Sequence, residues 1–318
     1  MVKVMNRKLA SILVPIYNGE KYLIEFLESI KRQTYRPIEL ILRDDCSKDN
    51  SFILCRKWAD RYDGDDFRIK LLKGERNIGL SRNVAELARH AQGKYIFIAD
   101  QDDVWLENKV SRQVGYLEET PQCMVCLSDR SITDDKLNIH IKSNYEYLGY
   151  KKTSMELEEV VKHKYIYAAN CMAIRNIDRQ IFCIPDEIIC HDSFITYMAA
   201  NYGTVDFLFE PLLLYRIHSN NLSSNFCAQN SKNFWDCFRR YLKTCKRVKK
   251  SSENDGRIIC TEMMKRYGID LVEMGSPFAK NVEYNYIKRA WEATKKDYKA
   301  DKIGEWKKKN TFNYEKCI

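Results

Sequence analysis

The chain has 318 residues, 45% of them hydrophobic, enough for a packed core in one large domain with an appendage, or in two domains. No run of about 18 apolar residues occurs, which excludes a membrane-spanning helix. The net charge of +9 is unevenly placed: residues 1–225 hold 31 Lys and Arg against 32 Asp and Glu, whereas residues 226–318 hold 22 against 12, so the basic character belongs to the last third.

The start of the chain carries basic residues and an apolar run but no small-residue cleavage site. Residues 10–16 therefore read as a first strand and not as a signal peptide. Tyr17-Asn18-Gly19-Glu20 forms a turn. Tyr22, Leu23, Phe26, Leu27 and Ile30 then mark one face of a helix over 20–33. Pro37 opens a second strand, 38–42, which ends in the polar segment Arg43 to Ser51. Within it, Ser47 or Asp49 can cap a helix running to Tyr62, and Asp45 and Asp49 shape the turn. A third strand covers 68–72, and Asn77-Ile78-Gly79-Leu80-Ser81-Arg82-Asn83 leads into a helix that Gly93 terminates.

The most informative stretch follows. Tyr95-Ile96-Phe97-Ile98-Ala99 reads as a buried parallel strand, and it runs into Asp100-Gln101-Asp102-Asp103. Three carboxylates in four residues repel one another and are costly without a cation. A hard divalent ion offsets that repulsion and in turn attracts phosphate; a solvated acidic turn is the plain alternative. Asn18, Asp44 and Asp100 each follow the C-terminal end of an expected strand, and a parallel sheet brings such positions to the edge where open α/β sheets bind ligands. No G-x-G-x-x-G follows the first strand and no G-x-x-x-x-G-K-[ST] occurs. A dinucleotide-binding Rossmann protein and a P-loop nucleotidase are thereby disfavoured.

Taken together, VPIYNGEKYL, RDDCSKDNS, NIGLSRN and IADQDDVW resemble the family 2 inverting glycosyltransferases, and DQDDVW is most similar to the bacterial rhamnosyltransferase-like branch. The resemblance covers residues 10–223. It implies a GT-A fold, a Rossmann-like α/β architecture with a mostly parallel sheet flanked by helices, here followed by a basic α-helical C-terminal region. By that resemblance Pro15, Tyr17 and Asn18 line the base and ribose of a nucleotide-sugar, with Glu20 at the helical end of their loop. Asp44 bonds the pyrimidine ring, and Asn77, Gly79, Arg82 and Asn83 close over the donor. Asp100 and Asp102 form a DxD element in which Asp102 holds Mn²⁺ or Mg²⁺ on the diphosphate, Asp100 lies nearer the ribose, and Asp103 lies beside the donor sugar. Arg82 also reads as a surface helix residue, and Trp105 as packing beneath the loop.

Beyond the acidic loop the pattern predicts a helix over 104–117, a strand over 123–129, a polar and mobile acceptor-side insertion over 132–152, a short helix over 156–162 and a strand over 166–174. In that last strand Asn170 stands where many members of the resembled family carry a small residue. The twelve cysteines are scattered through these elements and read as reduced, mostly buried thiols. Cys123 and Cys126 lack the partners a zinc site needs.

Two later segments carry chemistry. Cys190-His191-Asp192-Ser193-Phe194 precedes a helix, so Asp192 reads both as an N-terminal cap and as the carboxylate that removes a proton from an acceptor hydroxyl. HDSF resembles the family's HDWW-like segment, which implies that Asp192 is the catalytic base, with Ser193 and Phe194 replacing the aromatic pair. His191 orients Asp192 or packs against the sheet. Leu212 to Ser223 closes the domain and resembles the family's YRxH element. This implies His218 as a second metal ligand and Arg216 as a stabiliser of the leaving diphosphate; a structural histidine is the alternative for His218.

The domains expected are thus a catalytic unit over 1–225 and a helical basic region over 226–318. The second region carries Phe234, Trp235, Phe238, Tyr241 and Leu242 at helical spacing among Arg239, Arg240 and Lys243, as an anionic membrane surface or a second copy of the chain would require. Nucleic acid is not an expected partner, because the basic residues lack a recognition motif. The resemblance implies a UDP- or dTDP-sugar donor and a saccharide acceptor, lipid-linked, in a bacterial surface polysaccharide. It implies a cytoplasmic enzyme, peripheral at the inner face of the cell membrane, with no covalent intermediate. Two rivals of other classes stand: a non-catalytic adaptor of a polysaccharide assembly complex, and a metal-dependent nucleotidyl or phosphotransfer enzyme.

Overall fold

A computed structural model describes residues 7–161, 167–184 and 191–218. The expected basic helices over 226–318 lie outside these residues, as do Cys190, Asn221 and the end of the domain-closing segment.

Strands β1 (Ala10–Ile16), β2 (Ile38–Asp44) and β3 (Phe67–Lys73) alternate with helices α1 (Leu23–Lys31), α2 (Ser51–Tyr62) and α3 (Leu80–His90), and β4 (Tyr95–Ile98) follows. All four strands are parallel, in the order β3-β2-β1-β4. Every residue of β1, β2 and β4 is buried, because helices cover both faces of such a sheet; the strands are mainly apolar, with Ser11, Glu39, Arg43 and Asp44 as buried polar exceptions. The register sets Ile16 beside Asp44 and Leu13 beside Ile98. The loops after β1, β2 and β4 therefore emerge at one edge.

The second half of the sheet is mixed. The remaining elements are β5 (Val104–Trp105), α4 (Lys109–Glu119), β6 (Cys123–Thr133), β7 (Ile139–Ile141), α5 (Asn144–Tyr147), β8 (Ser154–Met155), α6 (Leu157–Val161), β9 (Met172–Arg175), α7 (His191–Ala199) and β10 (Thr204–Arg216). Strand β9 runs antiparallel between β4 and β6, and β10 is parallel to β6. The sheet of ten strands continues β4-β9-β6-β10-β5, with β7 and β8 attached at its side.

Three expectations change here. The helix expected over 104–117 begins only at Lys109, because Val104 and Trp105 pair antiparallel with Leu214 and Leu213. Both residues favour a pleated, buried surface, and the Trp105 amide donates to Ser29 Oγ at 3.1 Å. The polar 132–152 segment is also built into the domain. Tyr145 is buried and its hydroxyl donates to the Ser128 carbonyl at 2.7 Å, its ring stacking on Tyr150 and meeting Phe207 edge-on. A few tyrosines anchor this segment where its average composition suggests none. Finally, the strand expected over 166–174 is a 3-10 turn at Ala169–Cys171 followed by β9; residues 162–166 lie outside the described set.

Among the described cysteines, Cys55, Cys123, Cys126 and Cys171 are buried thiols as expected, whereas Cys46 is exposed; burial pushes Cys55 and Cys126 up to about 12, away from reactivity.

Candidate functional site

The site is built first by tying loops together. After β1, Asn18 turns with φ 49°. Its amide donates to Ser47 Oγ at 2.9 Å, and its Oδ1 accepts from the Lys48 amide at 2.8 Å. The Gly19 amide donates to Ser51 Oγ, and the Glu20 amide to Asp49 Oδ2. The Glu20 carboxylate accepts from the amide and side chain of Asn50, both at 2.9 Å. Asn18 and Glu20 thus lock the β1 loop onto the β2 loop. Asp49 also accepts from the amide and hydroxyl of Ser51 at the start of α2; the cap position itself is Asn50, whose side chain makes no capping bond, so neither Ser47 nor Asp49 occupies it.

Pro15 is buried at the end of β1, and Tyr17 is exposed. Asp44 is buried and accepts from the Ser47 amide at 3.1 Å through Oδ2. Its Oδ1 is also buried and has no partner among the described residues. Such an atom costs roughly 1–3 kcal/mol unless a donor satisfies it, and a ligand's ring N–H would do so.

The loop after β3 is held by a residue expected only to shape its own turn. Asp45 accepts from the Ile78 amide at 3.0 Å, the Gly79 amide at 2.9 Å and Arg43 Nη1 at 2.7 Å. Asn77 Oδ1 accepts from the Gly79 amide as well. Gly79 has φ 83°, which a side chain rarely tolerates. Arg82 is exposed on α3, and Asn83 is buried with its Oδ1 unpartnered among the described residues. Removing the Asp45 carboxylate is expected to free this loop: in Asp45→Ala, hydrogen exchange at Ile78 and Gly79 should accelerate at least tenfold while β1 and β4 stay protected.

The acidic loop packs against the same edge. Gln101 Oε1 accepts from the Tyr17 amide at 3.1 Å, and Gln101 Nε2 donates to the Tyr17 carbonyl at 2.9 Å. A Cβ added at Gly19 would lie 2.3 Å from Gln101 Oε1. Asp102 Oδ2 lies 2.9 Å from His218 Nε2, and Tyr22 packs its ring 4.6 Å from that imidazole. Asp103 is fully buried: Oδ1 accepts from the Arg216 amide at 3.1 Å and Oδ2 from Asn170 Nδ2 at 2.6 Å. Asp103 thus braces the loop from beneath.

The Arg216 guanidinium is buried too, and it faces the protein. Its Nε donates to the Asp102 carbonyl at 2.9 Å, Nη1 to the Asp135 carbonyl at 2.6 Å and Nη2 to Glu25, while the group lies 4.6 Å from the Tyr22 ring centre. These contacts fix the backbone of Asp102.

On the other side of the acidic loop, Asn170 Nδ2 also donates to Asp100 Oδ2 at 3.0 Å, and Asn170 Oδ1 accepts from Arg130 Nη1 at 3.1 Å. Burial and the neighbouring Asp102 and Asp192 charges push Asp100 up to about 7, against Arg130, which lowers it. Asp192 stands in the first turn of α7 and accepts from the Ser193 amide at 2.7 Å. Burial pushes Asp192 up to about 6, where a carboxylate serves as a general base near neutral pH. His191 beside it is buried and pushed down to about 4, so it packs as a neutral ring. The structure therefore brings Asp100, Asp102, Asp192 and His218 to one edge with Asp44. Gln101, Asp45 and Arg130 are participants that motif reading passed over, since each acts through loop backbone or through buried charge.

Asp102 and His218 are a donor pair that suits a divalent cation, an imidazole nitrogen beside a carboxylate oxygen. Among the described residues no group of three or more His, Cys, Asp or Glu is arranged to hold an ion. A cation at this pair would need further oxygens from a ligand, which a diphosphate supplies.

Residues 11–182 match the family described as Glycosyl transferase family 2. Over 115 residues the chain is 35% identical to the Escherichia coli UDP-Glc:alpha-D-GlcNAc-diphosphoundecaprenol beta-1,3-glucosyltransferase WfgD, covering 36% of this chain and 42% of that one. Curated relatives matched at 35–39% identity are spanned over only 25–42% of their own length. The fold is that of Staphylococcus aureus TarS, solved with UDP-GlcNAc, at a TM-score of 0.56, 15% identity and coverage of 94% and 78% of the two chains. It is also that of the mannosyltransferase PcManGT of Pyrobaculum calidifontis, solved with GDP-Man and Mn²⁺, at a TM-score of 0.53, 14% identity and coverage of 93% and 89%.

Proposed function

This chain belongs to glycosyl transferase family 2, and we propose that it moves a sugar from a UDP- or dTDP-sugar to a hydroxyl of a growing, lipid-linked bacterial surface polysaccharide, with inversion at the anomeric carbon. The observation that carries the reading is the convergence, at one sheet edge, of a half-buried carboxylate raised toward neutrality, Asp192, with the acidic loop and the half-satisfied Asp44. The donor class is supported by WfgD, whose name carries UDP-Glc, and by TarS, solved with UDP-GlcNAc, and the lipid-linked acceptor by WfgD.

Asp44 Oδ1 accepts from the pyrimidine ring N–H, with Pro15, Tyr17 and Asn18 forming the wall of the base and ribose site. Asn77, Gly79 and Arg82 close over the donor, and Asp100 lies on its ribose side. Asp102 and His218 would hold Mn²⁺ or Mg²⁺, which when bound would supply charge neutralisation for a diphosphate. Asp192 takes the proton of the acceptor hydroxyl. The acceptor oxygen forms a bond to the anomeric carbon from the face opposite the diphosphate, and the breaking carbon–oxygen bond leaves its electron pair on the diphosphate. Arg216 contributes by holding the Asp102 backbone, and Asp103 by bracing the loop. Residues 226–318, with their excess of basic side chains, attach the enzyme to an anionic membrane surface or to a second copy.

Thermal stabilisation by UDP, dTDP and GDP, each with and without Mn²⁺, tests the donor site. A ligand at about 100 times its dissociation constant adds about 2.7 kcal/mol. One pyrimidine diphosphate should raise the midpoint only with metal present, and Asp102→Asn should abolish that rise. Absence of stabilisation under every condition would overturn the donor site and favour the adaptor reading.

A further inference from the structure

Tyr22 stands at the start of α1, and its amide donates to the Gly19 carbonyl at 3.1 Å, so its backbone is rooted on the loop after β1. Its ring reaches the end of β10. Arg216 and His218 are two residues apart there, the spacing that puts side chains on one face of an extended chain, and Tyr22 meets both. Its ring centre lies 4.6 Å from the His218 ring centre, with the planes tilted by 40°, and 4.6 Å from the Arg216 guanidinium. The far end of the ring is fixed as well. The hydroxyl donates to the Asp135 carboxylate, in the turn between β6 and β7, and accepts from Lys21 Nζ at 2.7 Å. Lys21 Nζ also donates to both Asp135 oxygens, at 3.0 and 3.1 Å, and the Asp135 carbonyl accepts from Arg216 Nη1 at 2.6 Å. The Asp134 carboxylate, accepting from the Lys136 and Asn138 amides at 3.0 and 2.9 Å, holds that turn in shape.

We infer that Tyr22 is a positioning residue for the cation site: its ring, fixed at both ends, holds the His218 imidazole with Nε2 toward Asp102. The inference rests on the donor-site reading above and adds to it a residue that touches a proposed ligand directly. A histidine side chain turns about two torsions, and the groups around a metal-binding imidazole are what set its orientation. The His218 side chain is 8% exposed, its Nε2 lies 2.9 Å from Asp102 Oδ2, and Tyr22 forms one wall of its surroundings. A leucine at this position is shorter and has no hydroxyl, so it would leave that wall open, and the imidazole could turn away from Asp102. Because the same side chain is rooted on Gly19, a single rigid ring ties the loop proposed to line the base and ribose to the proposed metal pair.

Loss of a residue that orients a metal ligand typically weakens metal affinity by about 10–100-fold. The test is Mn²⁺ titration of the full chain at saturating UDP, read by the electron paramagnetic resonance of free Mn²⁺ and by the thermal midpoint. In Tyr22→Leu the half-saturating Mn²⁺ concentration should rise by about tenfold or more, while UDP affinity at saturating Mn²⁺ stays within about threefold. Tyr22→Phe keeps the ring but loses its anchor on Asp135, and should show a smaller rise in the same direction; it takes the place of Tyr22→Leu should that variant fail to fold. In a His218→Ala background, where Asp102 and the diphosphate remain for the ion, Tyr22→Leu should add less than about twofold, since a residue acting through His218 has nothing left to position. An unchanged Mn²⁺ requirement in Tyr22→Leu would overturn this inference alone. The same rise in both backgrounds would do so too, since it marks an effect that bypasses His218. A wild-type chain that takes up no Mn²⁺ with UDP, or a His218→Ala chain that binds Mn²⁺ as well as the wild type, would overturn the reading of the cation site, and this inference with it.

Discussion

Replacing Asp192 with asparagine is expected to lower kcat by about 10²–10⁴-fold, the range typical of a lost general base, while UDP and Mn²⁺ binding remain as in the wild type. The split between binding and turnover separates a base from a residue that shapes the donor site. A helix cap would show neither effect, since asparagine caps as well as aspartate. The pH profile gives a second reading. Asp192 takes a proton only when ionised, and burial holds it near about 6. The groups acting on it are Arg130, which favours its charge, and Asp100, which opposes it; His191, next to it on α7, is neutral in this range. Turnover should therefore fall tenfold per pH unit below about 6. Stability moves the other way. The folded-state value lies above the ordinary 3.8, so ionised Asp192 opposes folding. That penalty is absent below the ordinary value and complete above about 6. Asp192→Asn should accordingly melt higher than the wild type at pH 7.5, by up to about 3 kcal/mol in unfolding free energy, and no higher at pH 4.

The second large effect is expected at Arg130. Its charge lowers Asp100, Asp103 and Asp192, three carboxylates that burial works against. Taking one partner from a buried charge network costs about 3–5 kcal/mol. Arg130→Met should lose that much stability in urea unfolding at pH 7. It should lose less at pH 5, where more of the stranded carboxylates are protonated. If the variant retains activity, its acid limb should shift above about 6, because Asp192 then ionises without the nearby cation. An unfolding free energy independent of Arg130 would show that the site carries its charges by some other arrangement.

The parallel half of the sheet was legible because burial on both faces demands apolar strands, and 10–16 and 95–99 are apolar save for Ser11. The edge carrying Asn18, Asp44 and Asp100 followed from that alone, before any resemblance entered. The family's motifs then named Asp102, Asp192 and His218, and the fold brings all three to that edge. The rest was hidden for identifiable reasons. Trp105 joins a strand pair whose partner, Leu213–Leu214, lies far along the chain, and no local pattern announces such a pairing. Tyr145 and Tyr150 bury a segment whose average composition is polar. Asp45 reads as one more turn aspartate until the Ile78 and Gly79 amides are seen to converge on it. The resemblance to the YRxH element implied Arg216 at the diphosphate, and its three nitrogens donate to the protein around Asp102.

Gln101 clasps both backbone groups of Tyr17 and fills the space a Cβ would need at Gly19. The two positions, one per loop, therefore form a single unit of inheritance. A side chain gained at 19 would push the flexible end of Gln101 aside and cost its two bonds to Tyr17, so a smaller residue at 101 removes that cost. In a library randomised at both sites, functional clones should be enriched for Gly19 with Gln101 and for larger residues at 19 with Ser, Ala or Gly at 101. The segment joining these loops to the metal pair would then diversify in linked steps, even though neither residue touches a substrate.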